Sequence, residues 1–340
     1  TCRPEARKIA KPMTSPSLLV TYAASPPARV VIEEAIGSTA TVSYLQDIDA
    51  GDRATVLRNA TALLALNTAK ELQPGEAALV RDAKLLQFIS AGIDFIPMAE
   101  FPKTLAIACN GGGYAEPMAE HAVTMALAAF KRLIIEHNKV AVRDFDQFRP
   151  NRMLAGSICG ILGFGGIGKA TAKLMRALGT QIHAINRSGQ TDEPVDWIGD
   201  ETKLGELLAN ADTLILSLPL TPASENLIGA AELATMKNDA VLVNLARGEI
   251  IDEAALFTHL QNNPAFTACL DAWWIEPVRH GHFAMNHDFT SLPNVIASPH
   301  NSASISGWRD VALRRACDNI RRALDGGQPR FLVPLADRMM

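Results

Sequence analysis

One segment constrains this chain more than any other: residues 157–179 read SICGILGFGGIGKATAKLMRALG. An apolar run, Ile158–Leu162, leads into glycines at 163, 165 and 168, and an amphipathic stretch, Ile167–Leu178, follows. A second apolar run, Gln181–Ile185, comes next. Strand, glycine turn, helix and strand in that order form the context in which G-x-G-x-x-G binds a dinucleotide. Gly163 permits the tight turn, Gly165 lets backbone approach a pyrophosphate, and Gly168 lets helix and strand pack closely. Phe164 lies inside the turn, and the amides of Gly166 and Ile167 fall at the helix start, where unpaired N–H groups and the helix dipole favour an anion.

The end of the second strand bears on which dinucleotide. NAD sites place an acidic residue there, about 20 positions on, to hold the ribose hydroxyls. This chain has Asn186-Arg187-Ser188 instead. Asn tolerates a 2′-phosphate that Asp would repel. Arg187 can pair with that phosphate through charge-assisted bonds and Ser188 can donate one more. The pattern points to NADP, with NAD held through other contacts as the alternative.

The rest of the chain repeats the alternation. Strands are expected at Ser17–Tyr22, Ala40–Leu45, Thr61–Leu66, Leu85–Ile89 and Leu105–Ala108, with helices at Ala28–Ile36 and Gly51–Asn59. A long helix over Ala115–His137 and a mixed connector over Asp144–Gly156 lead to the second series. Its further strands are expected at Thr213–Leu216, Ala240–Asn244, Thr267–Leu270 and Val295–Ala297, with a helix at Asp252–Leu260 and a final one over Ser304–Leu324. This rhythm predicts an α/β protein with two parallel sheets. A length of 340 residues suits two domains, and a net charge of −4 gives no reason to expect nucleic acid or an anionic membrane as partner. No apolar run reaches about 18 residues without a charge, so a spanning helix is not expected. Five scattered cysteines without a C-x-x-C pair read as reduced thiols in a cytoplasmic protein. Residues 1–13 are basic and lack an apolar core, and read as a disordered leader or, alternatively, a targeting arm.

Three later motifs arrive in a fixed order: NLARGEIID at Asn244–Asp252, LDAWWIEP at Leu270–Pro277 and SPHNSA at Ser298–Ala303. Each follows a strand end in the second series, where open parallel sheets bind ligands. Together with the glycine motif they resemble the D-isomer-specific 2-hydroxy-acid dehydrogenase family, over roughly residues 60–320. The resemblance implies two Rossmann-like domains. One is a flavodoxin-like substrate domain, discontinuous, over 14–114 plus 304–340; the other is a doubly wound dinucleotide-binding domain over 115–303.

The family's Arg, Glu and His fall on Arg247, Glu276 and His300. The expected chemistry is reduction of a small 2-keto acid to a D-2-hydroxy acid, glyoxylate or hydroxypyruvate being the substrates suggested by an NADPH-linked enzyme. His300 would supply the proton, Glu276 would orient the imidazole, and Arg247 would grip the substrate carboxylate or carbonyl oxygen. The resemblance further places Asp271 at the nicotinamide carboxamide, or leaves it as a strand-end cap. Backbone of Leu245 and Ala246 is expected beside the nicotinamide, and Leu218, Pro219 and Thr221 beside the adenosine. In the first domain, amides of Ser90, Ala91, Gly92 and Ile93 would receive the substrate carboxylate.

Some positions stay open. Glu120 and His121 read as structural or catalytic, and Trp273-Trp274 as a pocket wall or core packing. His280, His282 and His287 lie close in sequence, but no Cys accompanies them and the chemistry needs no metal, so none is expected. Formate dehydrogenases share this fold but carry Gln where Glu276 falls. A different class is also compatible with the glycine cradle: a nucleotide-sensing interaction protein of the corepressor type. The family usually dimerises through the cofactor domain, so a homodimer embracing through residues 115–152 is expected.

Overall fold

The computed structural model describes residues 15–338. The leader read over residues 1–13 lies outside the described residues. The chain divides into two compact units: the described residues up to Asn110 with those from Asp310 on, and Gly111–Arg309.

The first unit begins with β1 (Ser17–Val20), α1 (Pro26–Ile36), β2 (Thr41–Tyr44), α2 (Arg53–Asn59) and β3 (Ala62–Ala65). It continues with the single turn α3 (Thr68–Glu71), β4 (Leu85–Phe88) and β5 (Ile107–Ala108). Prolines at the start of α1 preset its helical φ, and Gly37 at φ 55° ends it. All five strands are parallel, in the order β2-β1-β3-β4-β5. This is the flavodoxin-like arrangement. Alternate residues feed opposite faces. Leu18 and Val20 pack with Ile32 of α1 and with Leu313 and Ile320 of the C-terminal helix (Trp308–Leu324), while Leu19 packs with Leu57, Val80 and Ile96. That helix begins at Trp308 rather than at Ser304, because Gly307 takes φ 75° and the preceding residues form turns.

The second unit contains α4 (Ala115–Phe130), α5 (Leu133–Ala141), β6 (Ile158–Leu162), α6 (Gly166–Ala177), β7 (Gln181–Ile185), β8 (Trp197–Gly199) and α7 (Leu204–Asn210). Then come β9 (Thr213–Leu216), α8 (Ala230–Thr235), β10 (Val241–Asn244), α9 (Glu253–Asn262), β11 (Thr267–Leu270), α10 (Pro277–His280) and β12 (Val295–Ala297). The sheet is parallel throughout, ordered β12-β11-β10-β9-β6-β7-β8. Strand order reverses between β6 and β9, and the crevice at such a switch point is where doubly wound sheets bind ligands.

Two further local expectations differ from the structure. The single helix expected over Ala115–His137 is two helices, broken where Arg132 adopts φ 51°. The break is capped from outside: Arg152 N donates to Phe130 O at 3.1 Å and Lys131 Nζ to Arg152 O at 2.8 Å. Composition hides it, because no proline or glycine marks the site. The second difference is β8, a strand that no pattern in its own residues announces. Its three residues are too few for a period-2 pattern, and it exists by pairing with β7.

Candidate functional site

The cradle at the end of β6 is shaped by close approach. Gly163 sits at φ 99°, and a Cβ there would lie 2.6 Å from Leu218 N. Ser217 Oγ donates to Gly163 O at 2.8 Å, which holds the loop after β9 against the turn. A Cβ on Gly168 would collide with Gly163 O, and one on Gly166 would come 2.5 Å from Gly112 Cα. Phe164 is buried among the residues that pack α4 and α6 on the sheet. Gly165 is different: it is exposed, and a Cβ there would meet nothing within 4 Å. It is also the N-cap of α6, and no side chain caps that helix. An open backbone surface at an uncapped helix start fits a dinucleotide pyrophosphate.

At the end of β7, Asn186 Oδ1 accepts from Ser188 N and Ser188 Oγ, both at 3.1 Å, and its Nδ2 donates to Gln190 O at 2.8 Å. Asn186 and Ser188 therefore shape the turn on which Arg187 stands exposed. In the loop after β9, Thr221 N donates to Ser224 Oγ and Ser224 Oγ donates to Pro219 O, each at 2.8 Å. Leu218 is partly buried and Pro219 exposed.

The charged residues stand on the loops after β10, β11 and β12. Asn244, fully buried, staples the first: its Oδ1 accepts from Ala246 N at 3.0 Å and its Nδ2 donates to Arg247 O at 2.8 Å. Leu245 and Ala246 are buried in that loop. Arg247 is half-buried, and one guanidinium nitrogen donates to Ala246 O at 2.7 Å. Gly248 follows because a Cβ there would run into the Trp273 carbonyl carbon. That contact brings the Arg247 loop against the loop carrying Glu276. Asn244 and Gly248 belong to the N-x-x-R-G pattern, but their steric and stapling roles emerge only here.

Both Glu276 oxygens lie 2.8 Å from His300 Nδ1, and Oε1 also accepts from Trp273 N at 2.8 Å. Burial pushes the Glu276 carboxyl up, but the His300 hydrogen bond and charge, the Trp273 N–H and the Arg247 charge outweigh it and hold the carboxyl below its ordinary range. Arg247, Glu276 and His300 are thus brought together electrostatically. His300 itself stands at φ 50°, in the left-handed region.

Asp271 has no exposed surface. Its carboxylate accepts from Ser298 Oγ at 2.5 Å, Asn301 N at 3.1 Å and Ser302 N at 3.2 Å, so it caps the loop that carries His300. Trp273 is buried and donates to Ser298 O at 2.8 Å; Trp274 donates to Ile251 O at 2.7 Å and stacks on Phe289 at 5.3 Å. The tryptophan pair is core packing. His280 Nδ1 accepts from Glu276 N at 3.1 Å, and His287 stacks on Phe257 at 4.8 Å. Among the described residues no group of three His, Cys, Asp or Glu side chains is placed to hold a metal ion.

In the first unit, Ser90–Ile93 follows β4. Ser90 O accepts from Asn110 N at 2.9 Å, Ser90 Oγ is buried without a hydrogen-bond partner, Ala91 and Gly92 are partly exposed, and Ile93 anchors the segment in the core.

A glycine cradle at the switch point of a doubly wound sheet, with an arginine and an imidazole–carboxylate pair on the neighbouring strand ends, defines the class of nicotinamide-dependent dehydrogenases. The chain belongs to the D-isomer specific 2-hydroxyacid dehydrogenase family: the NAD binding domain of that family matches residues 123–302, more than half of the chain. It is 31% identical over 260 residues to a glycerate dehydrogenase of Methylorubrum extorquens, covering 74% of this chain and 79% of that protein. It is 32% identical over 230 residues to a glyoxylate reductase of Aeropyrum pernix, covering 65% and 67%. The crystal structure of a D-isomer specific 2-hydroxyacid dehydrogenase from Xanthobacter autotrophicus, in complex with NADPH and MES, shares the fold with a TM-score of 0.77 at 23% identity, over 94% of this chain and 98% of that one. The protein is an NAD(P)-dependent 2-hydroxyacid dehydrogenase. No helix among the described residues is long and apolar enough to cross a membrane.

Proposed function

We propose that this chain reduces a small 2-keto acid of the glyoxylate or hydroxypyruvate type to the D-2-hydroxy acid, with NADPH preferred over NADH. The observation that carries the reading is the His300–Glu276 pair. An ionised carboxylate can only accept hydrogen bonds, so Nδ1 of His300, 2.8 Å from both oxygens, carries a proton. Nε2 is then the nitrogen offered to substrate. The cofactor, when bound, supplies the hydride from nicotinamide C4. His300 gives its Nε2 proton to the substrate's carbonyl oxygen and regains one from solvent. Glu276 keeps the ring oriented with Nδ1–H toward its carboxylate and Nε2 toward substrate. Arg247 binds the substrate carboxylate, or the carbonyl oxygen as it gains negative charge. Ser90, Ala91, Gly92 and Ile93 are proposed to offer donors to a carboxylate, and the unpartnered Ser90 hydroxyl supports this.

Gly163 to Gly168 hold the pyrophosphate, with Leu218, Pro219 and Thr221 along the adenosine and Leu245 and Ala246 along the nicotinamide. The preference for NADPH rests on the absence of a carboxylate at Asn186 and on exposed Arg187 beside it. Self-association of two copies is part of the proposal. Val142, Phe145, Phe148 and Met153 expose 76%, 75%, 85% and 70% of their surface on one segment, which favours burial against a second copy. Sedimentation at micromolar concentration tests it, and a monomer alone would remove it.

NADPH and NADH oxidation, measured side by side against glyoxylate, hydroxypyruvate, pyruvate and phenylpyruvate, tests the reaction. Fast NADPH oxidation with one of the first two supports it. A preference for NADH keeps the reaction and removes Arg187 as phosphate grip. Absence of turnover with every acid overturns the substrate class.

A further inference from the structure

His121, on α4, reaches the loop after β12 from a position 177 residues away in sequence. Its Nε2 lies 3.0 Å from Ser298 Oγ, and Ser298 Oγ donates to Asp271 Oδ1 at 2.5 Å. A hydroxyl has one proton. With that proton given to Asp271, Ser298 Oγ can only accept from His121, so Nε2 of His121 is a donor. Nε2 also lies 3.8 Å from Asp271 Oδ1.

The other end of this chain of hydrogen bonds is the loop that carries His300. Asp271 binds the backbone N–H groups of Asn301 and Ser302, the two residues after His300. Ser298, two residues before it, is fixed on every polar group: N to Leu270 O at 2.9 Å, O from Trp273 Nε1 at 2.8 Å, and Oγ between His121 and Asp271. Between these clamps His300 holds φ 50°, a conformation that a non-glycine residue keeps only when its surroundings impose it.

We propose that His121 is a positioning residue for His300, acting through the Ser298 hydroxyl and the Asp271 carboxylate. The donor on His121 fixes the rotamer of Ser298. Ser298 then presents its proton to Asp271, and the carboxylate is left in the orientation that grips the two amides after His300. Loss of the donor frees Ser298 to rotate, loosens the left-handed turn and lets the imidazole drift from Glu276. The effect on turnover rests on the proposed role of His300 as proton donor; the effect on the ring itself does not.

The test compares His121→Phe, which fills the space without a donor, with His121→Gln, which restores one, and with Ser298→Ala. Ring-nitrogen NMR signals of His300 in the cofactor-free protein are recorded beside kcat and KM. His121→Phe and Ser298→Ala are each expected to move the His300 signals and to lower kcat about tenfold to a hundredfold, the cost of a misplaced reacting group. KM should change less than about threefold, and the double variant should be no worse than either single one, since both break one chain of bonds. His121→Gln should restore signals and kcat. Unchanged His300 signals and kcat in His121→Phe overturn the proposal. If the wild-type protein reduces no 2-keto acid while the His300 signals still move in His121→Phe, the positioning stands and the reaction proposed above falls.

Discussion

The two chemical stations at the C-terminal edge of the seven-stranded sheet are built from different material. The cradle after β6 is backbone. Its shape comes from side chains that are missing, at Gly163, Gly166 and Gly168, where neighbouring atoms leave no room for a Cβ. Its open surface comes from Gly165, where room remains. The cluster on the loops after β10, β11 and β12 is side-chain charge. It depends on buried staples, Asn244 on one loop and Asp271 on another, and on one steric notch at Gly248. Backbone sites tolerate changes of charge but not of volume. The charged cluster tolerates little change of either, because removing His300 or Arg247 leaves the buried Glu276 carboxylate uncompensated.

Substitutions can break this contrast, beginning with the largest effect. His300→Ala is expected to lower kcat by about a thousandfold, within the range of a lost general acid, while the cofactor dissociation constant measured by fluorescence titration stays within about threefold. Loss of cofactor binding in that variant would show that the two stations are not separable. Glu276→Gln keeps the shape and removes the charge, and should cost about a hundredfold in kcat. The Glu276 carboxyl lies below its ordinary range, so its ion pair adds stability above the usual carboxylate range and loses it as pH falls through the lowered value. Thermal denaturation should therefore show a gap between wild type and Glu276→Gln that is widest near neutral pH and narrows below about pH 4.5.

Within the cradle the contrast sharpens to two glycines, Gly165 and Gly168, only three residues apart in sequence. Gly165→Val meets open space, so the melting temperature should hold while cofactor affinity falls about tenfold or more. Gly168→Val collides with Gly163 O and should destabilise the fold by about 1–3 kcal/mol by urea titration. Equal effects of the two on stability would refute the division between open and packed glycines. Asn186→Asp keeps an acceptor for Ser188 while adding the charge that repels a 2′-phosphate, and should shift kcat/KM toward NADH about tenfold. The smallest effect is expected from Trp274→Phe, which loses the bond to Ile251 O. Stability should fall by about 1 kcal/mol with kcat unchanged, and a changed substrate preference would return Trp274 to the pocket wall.

The same contrast explains what could be read in advance. Most strands of both sheets were legible because they are short apolar runs, and the central ones, such as β3, β9 and β10, are buried along their whole length. The break between α4 and α5 was not legible, because Arg132 carries no sign of its left-handed conformation and the backbone that caps the break comes from Arg152, twenty residues on. β8 was missed because pairing with β7, and no pattern of its own, makes it a strand.

Read alone, the residues determined the cradle and the types of charged group. A glycine is a local statement about backbone, and G-x-G-x-x-G between two strands has one physical use that suits its spacing. The order of Arg247, Glu276 and His300 was likewise legible as a resemblance. Only the tertiary structure decided that Asp271 faces the His300 loop with no exposed surface, that Gly248 exists to seat one loop on the next, and that His121 meets Ser298. Those relations join residues brought together by the order of strands in a sheet, and a hydrogen bond between groups 177 positions apart leaves no trace in the spacing of either.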